Sequence, residues 1–274
     1  MRRRAPLALA AVAAIAVAAP QAGAASGDGA AAARAATWLA ANSSGAPAGQ
    51  QADAVVALRA AGRSSGSLRP RVAALAKTAP AYATTAGGAA KVVMAAVAAR
   101  RDPASLGRVD YLRRITGRYA AGRYGATAWD QALSLLALRA DGRGSGGWSF
   151  DLQTDSRDSV DATAIVLEAL AASGVKGTDA RVAAAVRWML AQRNGAGGLA
   201  SAGGGAPSDA NSTAGAIRAL RATGRTPPAS LRAALRALQD RDGSVRFTRA
   251  GAGSRLLATN DALVAFAGKS LPVR

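Results

Sequence analysis

The chain has 274 residues and a formal net charge of +19, and it contains no cysteine and no histidine. The absence of cysteine excludes a disulfide framework, a thiol nucleophile and a lipoprotein anchor, and the absence of histidine excludes a Ser-His-Asp triad and an imidazole base or metal ligand. Glu168 is the only glutamate, against 15 aspartates and 31 arginines, and 77 residues are alanine. Because alanine dominates the apolar residues, the core must form by close approach of backbones, not from large side chains.

The first 24 residues have the pattern of a secretory signal peptide. Arg2–Arg4 precede the apolar run Leu7–Ala19, and Ala22-Gly23-Ala24 fits a cleavage site for small residues. The run is too short to span a membrane, and no later segment reaches 18 uninterrupted apolar residues. We therefore expect residues 25–274 to form one exported domain without a transmembrane anchor. We expect this domain to be secreted or located outside the cytoplasm in association with the cell envelope.

Loss of the three leader arginines would leave a net charge of +16 from the original +19. A charge of this size attracts anionic surfaces such as acidic envelope polymers or lipid head groups. Nucleic acid is not the expected partner, because the arginines are scattered singly and no basic run carries interleaved aromatic residues. Inflation of arginine and alanine by GC-rich coding is the alternative explanation.

Along the chain, apolar residues recur at helical spacing, and glycine or proline closes most runs. Four runs end in the same motif, Ala-Leu-x-Ala-x-Gly, in which the glycine suits a left-handed C-cap. The anchors of these runs and of two weaker copies are 32 to 50 residues apart, which indicates an internal repeat. In chain order the predicted helices contain Arg34–Ala41, Ala57–Gly62, Leu68–Thr78, Lys91–Arg100, Val109–Thr116, Ala137–Gly142, Ala169–Gly174, Ala180–Gln192, Ala219–Gly224, Ser230–Gln239 and Asp261–Phe266.

Two classes of helix alternate, and no run has the period of two typical of strands. The pattern predicts an all-α array of helical hairpins with about eleven helices. One class holds the Ala-Leu-x-Ala-x-Gly motif or its weaker copies, and the second class comprises the helices between them. Trp38-Leu39 and Trp188-Met189 lie in helices of the second class, at spacings that place them in the core.

These residues resemble the terpenoid cyclase and protein prenyltransferase α/α-toroid group, and in particular its bacterial prenyltransferase/squalene oxidase repeat proteins. That repeat has an aromatic-aliphatic pair on an outer helix, then a glutamine and a Gly-x-Trp turn into an inner helix. Here the matches are Trp188-Met189 with Gln192 and Gly197-Gly198-Leu199, Gln239 with Gly243-Ser244-Val245, and Gly146-Gly147-Trp148. The likeness covers nearly the whole chain after residue 24, but Leu199 and Val245 stand where the family favours tryptophan.

The resemblance implies a barrel of helical hairpins with a site at one mouth. Residues 142–151 form a Gly-rich loop where an outer helix is expected, which leaves open whether the ring closes. Zinc-dependent prenyltransferase activity is excluded because that site needs Cys and His. Asp155, Asp158 and Asp161 do not reproduce the Asp-x-Asp-Asp acid of squalene-hopene cyclases. Similar toroids occur in the secreted, non-catalytic cobalamin carriers of animals, which use a second domain that this chain does not contain.

Polar residues collect where the inner helices begin. If those helices run parallel, as in the resembled toroids, the residues meet at one mouth, where they either bind a ligand or simply cap the helices. The candidates are Trp129, Asp130, Asp158, Asp161, Asn211, Asn260 and Asp261.

The densest local feature is the segment from Gly146 to Asp161. Trp148 and Phe150 could stack on a planar or hydrocarbon ligand, with Asp155, Asp158 and Asp161 facing the mouth. Alternatively, Trp148 wedges between repeats and an aspartate caps the next helix.

Glu168 lies in mid-helix, and its partner cannot be identified from the sequence. A pair of placed carboxylates, which glycosidases normally need, is therefore not evident.

Together these features predict an exported binding or envelope-associated module without a cofactor. Its ligand would be hydrophobic or planar: a polyprenyl or terpenoid lipid, or a corrinoid. Two alternatives stay open: a cyclase-like or carbohydrate-active enzyme that uses aspartates at the mouth, and a scaffold for an envelope protein.

Overall fold

The computed structural model describes residues 26–120, 123–141, 159–203 and 205–273. The prediction of an all-α chain with about eleven helices is confirmed, since these ranges hold eleven α-helices, a short 3-10 helix at Leu106–Arg108, and no β-strand beyond isolated bridges. The expected leader 1–24 and the candidates Trp148, Phe150, Asp155 and Asp158 lie outside the described residues.

Six helices, which we call the inner helices, pack in a closed cycle. They are α2 (Ala48–Ala60), α4 (Ala86–Ala98), α6 (Ala128–Asp141), α7 (Val160–Ala172), α9 (Ala210–Ala222) and α11 (Arg255–Phe266). Each packs against the next in this order, and α11 packs against α2. The neighbour relations therefore return to their starting point.

Five further helices, the outer helices, each pack on one or two inner helices. They are α1 (Ser26–Asn42), α3 (Ser65–Tyr82), α5 (Tyr111–Thr116), α8 (Ala180–Ala191) and α10 (Ala229–Arg236). Helix α1 packs on α11 and α2, and α3 packs on α2 and α4. Helix α5 packs on α4, α8 on α7, and α10 on α9. Inner and outer helices thus alternate along the chain except between α6 and α7, where residues 142–158 lie outside the described ranges.

Three of the four copies of the repeated motif end their inner helices as predicted, and the fourth, at Gly142, lies outside the described residues. Gly62, Gly174 and Gly224 have positive φ of 75–90°, and the N–H of the next residue bonds to the carbonyl of the motif leucine at 2.7–3.0 Å. This is the Schellman arrangement, which satisfies carbonyls that a helix end leaves unpaired. At the end of α4 the same bond joins the Arg101 N–H to the Ala96 carbonyl at 2.8 Å, and Arg100 takes the left-handed position with φ 52°.

Two of the turns that enter inner helices are built alike. The Leu199 N–H donates to Thr213 Oγ1 at 3.1 Å, and the Val245 N–H donates to Thr259 Oγ1 at 2.9 Å. Leu199 and Val245 are both fully buried, so each anchors its turn in the core with an aliphatic side chain.

Alanine is the commonest residue of the buried core, which lets the inner helices approach closely. A β-carbon at Gly215 of α9 would lie 3.3 Å from the β-carbon of Ala164 on α7. Trp38 and Trp188 are half-buried and pack against this core from the outer helices. Within the described residues, no helix is both long enough and apolar enough to cross a membrane.

Candidate functional site

All six inner helices line a cavity of about 220 Å³, which therefore lies at the centre of their cycle. The lining residues come mostly from the N-terminal and middle turns of each helix, so these parts of the six helices face the same space. They include Asp53 and Val56 from α2, Lys91 and Met94 from α4, Trp129 and Leu133 from α6, Asp161 and Ile165 from α7, Asn211 and Arg218 from α9, and Asn260 and Asp261 from α11.

The structure brings five predicted site residues to this one cavity: Trp129, Asp161, Asn211, Asn260 and Asp261. Trp129 is 41% exposed, unusually open for so large an apolar side chain. The indole therefore offers a free surface to a ligand.

Asp130, the sixth described candidate, does not line the cavity. One of its carboxylate oxygens accepts the Gly87 N–H at 3.0 Å, and the other accepts the Thr127 hydroxyl at 2.9 Å. The residue thus joins the start of α4 to the start of α6, which is a structural role.

Arg218 ties three successive inner helices together. Its Nε lies 3.3 Å from Glu168 Oε1 on α7, and its Nη1 lies 2.8 Å from Asp261 Oδ1 on α11. Glu168 is fully buried and also accepts the Leu271 N–H at 2.8 Å. Burial raises the pKa of Glu168, which the Arg218 charge only partly opposes, while the two carboxylates hold the pKa of Arg218 above its ordinary value despite burial.

A second ion pair lines the cavity, where Lys91 Nζ is 2.7 Å from Asp53 Oδ2. Burial raises the pKa of Asp53, although Lys91 opposes the shift. Burial disfavours the charged form of Lys91, but the charge and hydrogen bond of Asp53, together with the nearby Tyr82 and Asp261, outweigh it and raise the pKa of Lys91. The pair links α2 to α4.

Ser212 stands between two carboxyl groups. Its Oγ lies 2.7 Å from Asp161 Oδ1 and 2.8 Å from Asp209 Oδ2, and Asp209 also caps α9 by accepting the Ser212 N–H at 2.8 Å. A hydroxyl carries only one proton, so a second proton must come from a carboxyl for both contacts to be hydrogen bonds. Burial raises the pKa of Asp209, and the nearby charge of Asp161 acts in the same direction.

Two amide oxygens of the lining have no hydrogen-bond partner within the part of the chain that the structure describes. They are Oδ1 of Asn211 and Oδ1 of Asn260, both buried. The Asn260 amide is oriented by its Nδ2, which donates to the Gln50 carbonyl at 3.2 Å, and only 3% of the residue is exposed. Since an unsatisfied buried acceptor costs about 1–3 kcal/mol, both oxygens favour a bound group that donates hydrogen bonds.

The cavity differs in charge from the rest of the protein. Its lining has three carboxylates, Asp53, Asp161 and Asp261, against two cations, Lys91 and Arg218, whereas the whole chain carries +19. No cluster of three or more acidic side chains in the described ranges is placed to hold a metal ion.

Sequence reasoning missed Asp53, Lys91 and Arg218, although one signal for Arg218 was present. Glu168 and Arg218 both stand immediately before the Ala-Leu pair of the repeated motif, where other copies have Val56 and Leu136. Opposite charges at the same repeat position on apolar helices predict an ion pair between the two repeats.

No family model matches the chain, and no curated protein is detectably similar to it.

Proposed function

We propose that the chain is an exported, non-catalytic binding module of the prenyltransferase/squalene oxidase repeat type and that its central cavity holds the ligand. The fold assignment is supported by the closed cycle of six inner helices, the outer helices on their flanks and the two matching turns at Leu199 and Val245. Export is supported by the leader pattern of residues 1–24.

The observation that carries the proposal is the pair of oxygens on Asn211 and Asn260 that have no described partner, in a cavity lined by apolar as well as charged side chains. A ligand suited to it has a slender apolar body and an end group that donates hydrogen bonds. The excess of carboxylates favours a hydroxyl or ammonium end over a phosphate, because like charges repel. Trp129 supplies a flat surface for the part of the ligand nearest the solvent.

The volume discriminates among the ligand classes. A cavity of about 220 Å³ is smaller than the roughly 300–1,000 Å³ typical of sites that enclose a drug-sized molecule. It would take the end of a polyprenyl or terpenoid alcohol but would not enclose a corrinoid ring. A scaffold with no small ligand would be expected to fill its centre with side chains.

The test is native mass spectrometry of the chain purified without detergent from the cells that make it. We expect a discrete added mass with the composition of an isoprenoid lipid. Trp129→Ala should lose that mass and stay folded, because 41% of the residue is already exposed to solvent. Tyr119→Ala is the matched control, since Tyr119 is 49% exposed and does not line the cavity.

Two results would contradict the proposal. A bare protein mass that stays unchanged after incubation with polyprenyl alcohols and corrinoids would remove the binding function. An added mass kept equally by Trp129→Ala and Tyr119→Ala would place the ligand elsewhere.

A cyclase-like enzyme is the second candidate, favoured by one observation. Asp161 lines the cavity and lies within hydrogen-bond distance of a hydroxyl that also contacts Asp209, so a carboxyl proton could reach a bound alkene. In that case the recovered lipid would be a cyclised isomer of the added polyprenyl substrate with the same mass. Asp161→Asn should then return the substrate unchanged.

A further inference from the structure

A second pocket, of about 740 Å³, lies at the C-terminal ends of α2, α9 and α11. Its described lining contains five cationic side chains and no carboxylate: Arg59, Arg221, Arg225, Arg232 and Lys269. The sign of the charge is opposite to that of the central cavity.

Structural roles account for some of these charges. Arg59 and Arg221 lie in the last turns of α2 and α9, where cations complement the helix dipole. Arg225 donates to the carbonyls of Thr223 and Gly177, at 3.3 and 2.8 Å, and Arg232 lies 3.6 Å from Asp28. These contacts hold the pocket wall in place.

Arg221 and Lys269 are different, because neither side chain forms a hydrogen bond or ion pair with another described residue. Arg221 lies beside Gly268: the Arg221 guanidinium carbon is 3.6 Å from the position that a β-carbon on Gly268 would occupy. Its Nε is buried and has no acceptor among the described residues, and the same holds for the Nε atoms of Arg59 and Arg232. Three arginines whose Nε atoms have no described acceptor, and a lysine without a described partner, thus line one pocket.

The chemistry that matches this arrangement is a group with several acceptor oxygens and negative charge. Phosphate fits, because arginine binds it through paired N–H donors and lysine binds it as a point charge. Ala60, Pro227 and Val273 give part of the wall an apolar surface for the organic body that carries the phosphate. The volume falls within the range of ordinary ligand sites.

We propose that this basic pocket binds a phosphate-bearing anion, either a soluble polyphosphate or a phospholipid head group. The proposal does not depend on the function of the central cavity. It requires more than the general attraction of anions by a protein of charge +19, so the test must separate the pocket from the overall charge.

The experiment is titration calorimetry of the full chain with tripolyphosphate at an ionic strength of about 0.15 M, where long-range attraction is screened. The test variant is Arg221→Gln/Lys269→Gln. The control is Arg113→Gln/Lys77→Gln, which removes the same charge from two exposed residues that do not line the pocket. We expect the test variant to raise the Kd at least about tenfold and the control to change it less than about threefold.

A second arm identifies the source of the phosphate. Phosphatidylglycerol vesicles that bind the chain, and from which tripolyphosphate displaces it, indicate the lipid head group, whereas binding of tripolyphosphate alone indicates a soluble ligand. Absence of binding in both arms, or equal weakening by the test and control variants, would overturn the proposal.

Circular dichroism checks that both variants are folded. If the double test variant unfolds, Lys269→Gln against Lys77→Gln repeats the comparison, since both lysines are exposed and neither bonds to a described residue. Equal Kd values for these two single variants would then count against the pocket.

Discussion

Replacing Arg218 with methionine should destabilise the protein in a strongly pH-dependent way. The change leaves Glu168, which is fully buried, with the Leu271 N–H as its only partner among the described residues. Breaking a buried ion pair from one side usually costs about 3–5 kcal/mol, because the remaining charge is uncompensated.

The structure sets a ceiling on the part of this cost that comes from Glu168. The carboxyl can avoid a buried charge by taking up a proton, which costs about 1.36 kcal/mol for each pH unit above its unfolded pKa. With an ordinary pKa of 4.5, the ceiling at pH 7 is about 3.4 kcal/mol, and it vanishes near pH 4.5. A carboxyl whose folded pKa is raised gives most stability below its unfolded pKa, and that stability is lost as the pH rises through the folded pKa.

The assay is urea unfolding of the wild type and Arg218→Met at pH 4.5 and pH 7, followed by circular dichroism. We expect the difference between wild type and variant in the free energy of unfolding to be larger at pH 7 than at pH 4.5, by at most about 3.4 kcal/mol, because the raised pKa of Glu168 in the wild type already carries part of this cost. Adding Glu168→Gln should recover most of that difference, because it removes the unpaired charge. A penalty that is equal at both pH values, or below about 1 kcal/mol at pH 7, would refute the reasoning.

Three further predictions concern single positions outside the cavity. Arg100→Gly should raise the free energy of unfolding, measured in urea, by about 0.5–1 kcal/mol, because Arg100 has φ 52° and glycine adopts that conformation without strain. An unchanged free energy of unfolding would contradict the left-handed conformation at the end of α4. Gly243→Ala should lower the free energy of unfolding by at least about 2 kcal/mol, because the new β-carbon would collide with the Arg34 carbonyl. The control Gly251→Ala, at a similar φ but with open space around it, should lower the free energy of unfolding by only about 1 kcal/mol. The Asp179 carboxyl should titrate by NMR with a midpoint of about 2, because hydrogen bonds from Arg181 lower its pKa. The contribution of Asp179 to stability should be present above pH 3.8 and be lost as the pH falls through 2. A midpoint near 3.8 would show that these hydrogen bonds do not form in solution.

The helices could be predicted from the sequence because their signals are local. Apolar spacing, the Ala-Leu-x-Ala-x-Gly ends and the capping residues each act within a few positions of the chain. Trp129, Asp161 and Asn211 were found for the same reason, since each is the second residue of an inner helix. The expectation that Asn260 and Asp261 stand at a helix start was wrong, because α11 begins at Arg255 and both residues lie in its middle. Asp130 shows the limit of that rule, because its position in α6 aims the carboxylate at Gly87 and away from the cavity.

Only the tertiary structure decided which residues from distant repeats become partners. Glu168 looks like a lone carboxylate in the sequence, yet the packing of α7, α9 and α11 places Arg218 against it and joins both to Asp261. The basic pocket likewise depends on three helix ends that come from separate parts of the chain. Helix formation is determined by residues that are neighbours in sequence. The pairing of charges and the shape of cavities are determined by which helix faces approach each other, and an alanine-rich pattern leaves many such approaches equally favourable.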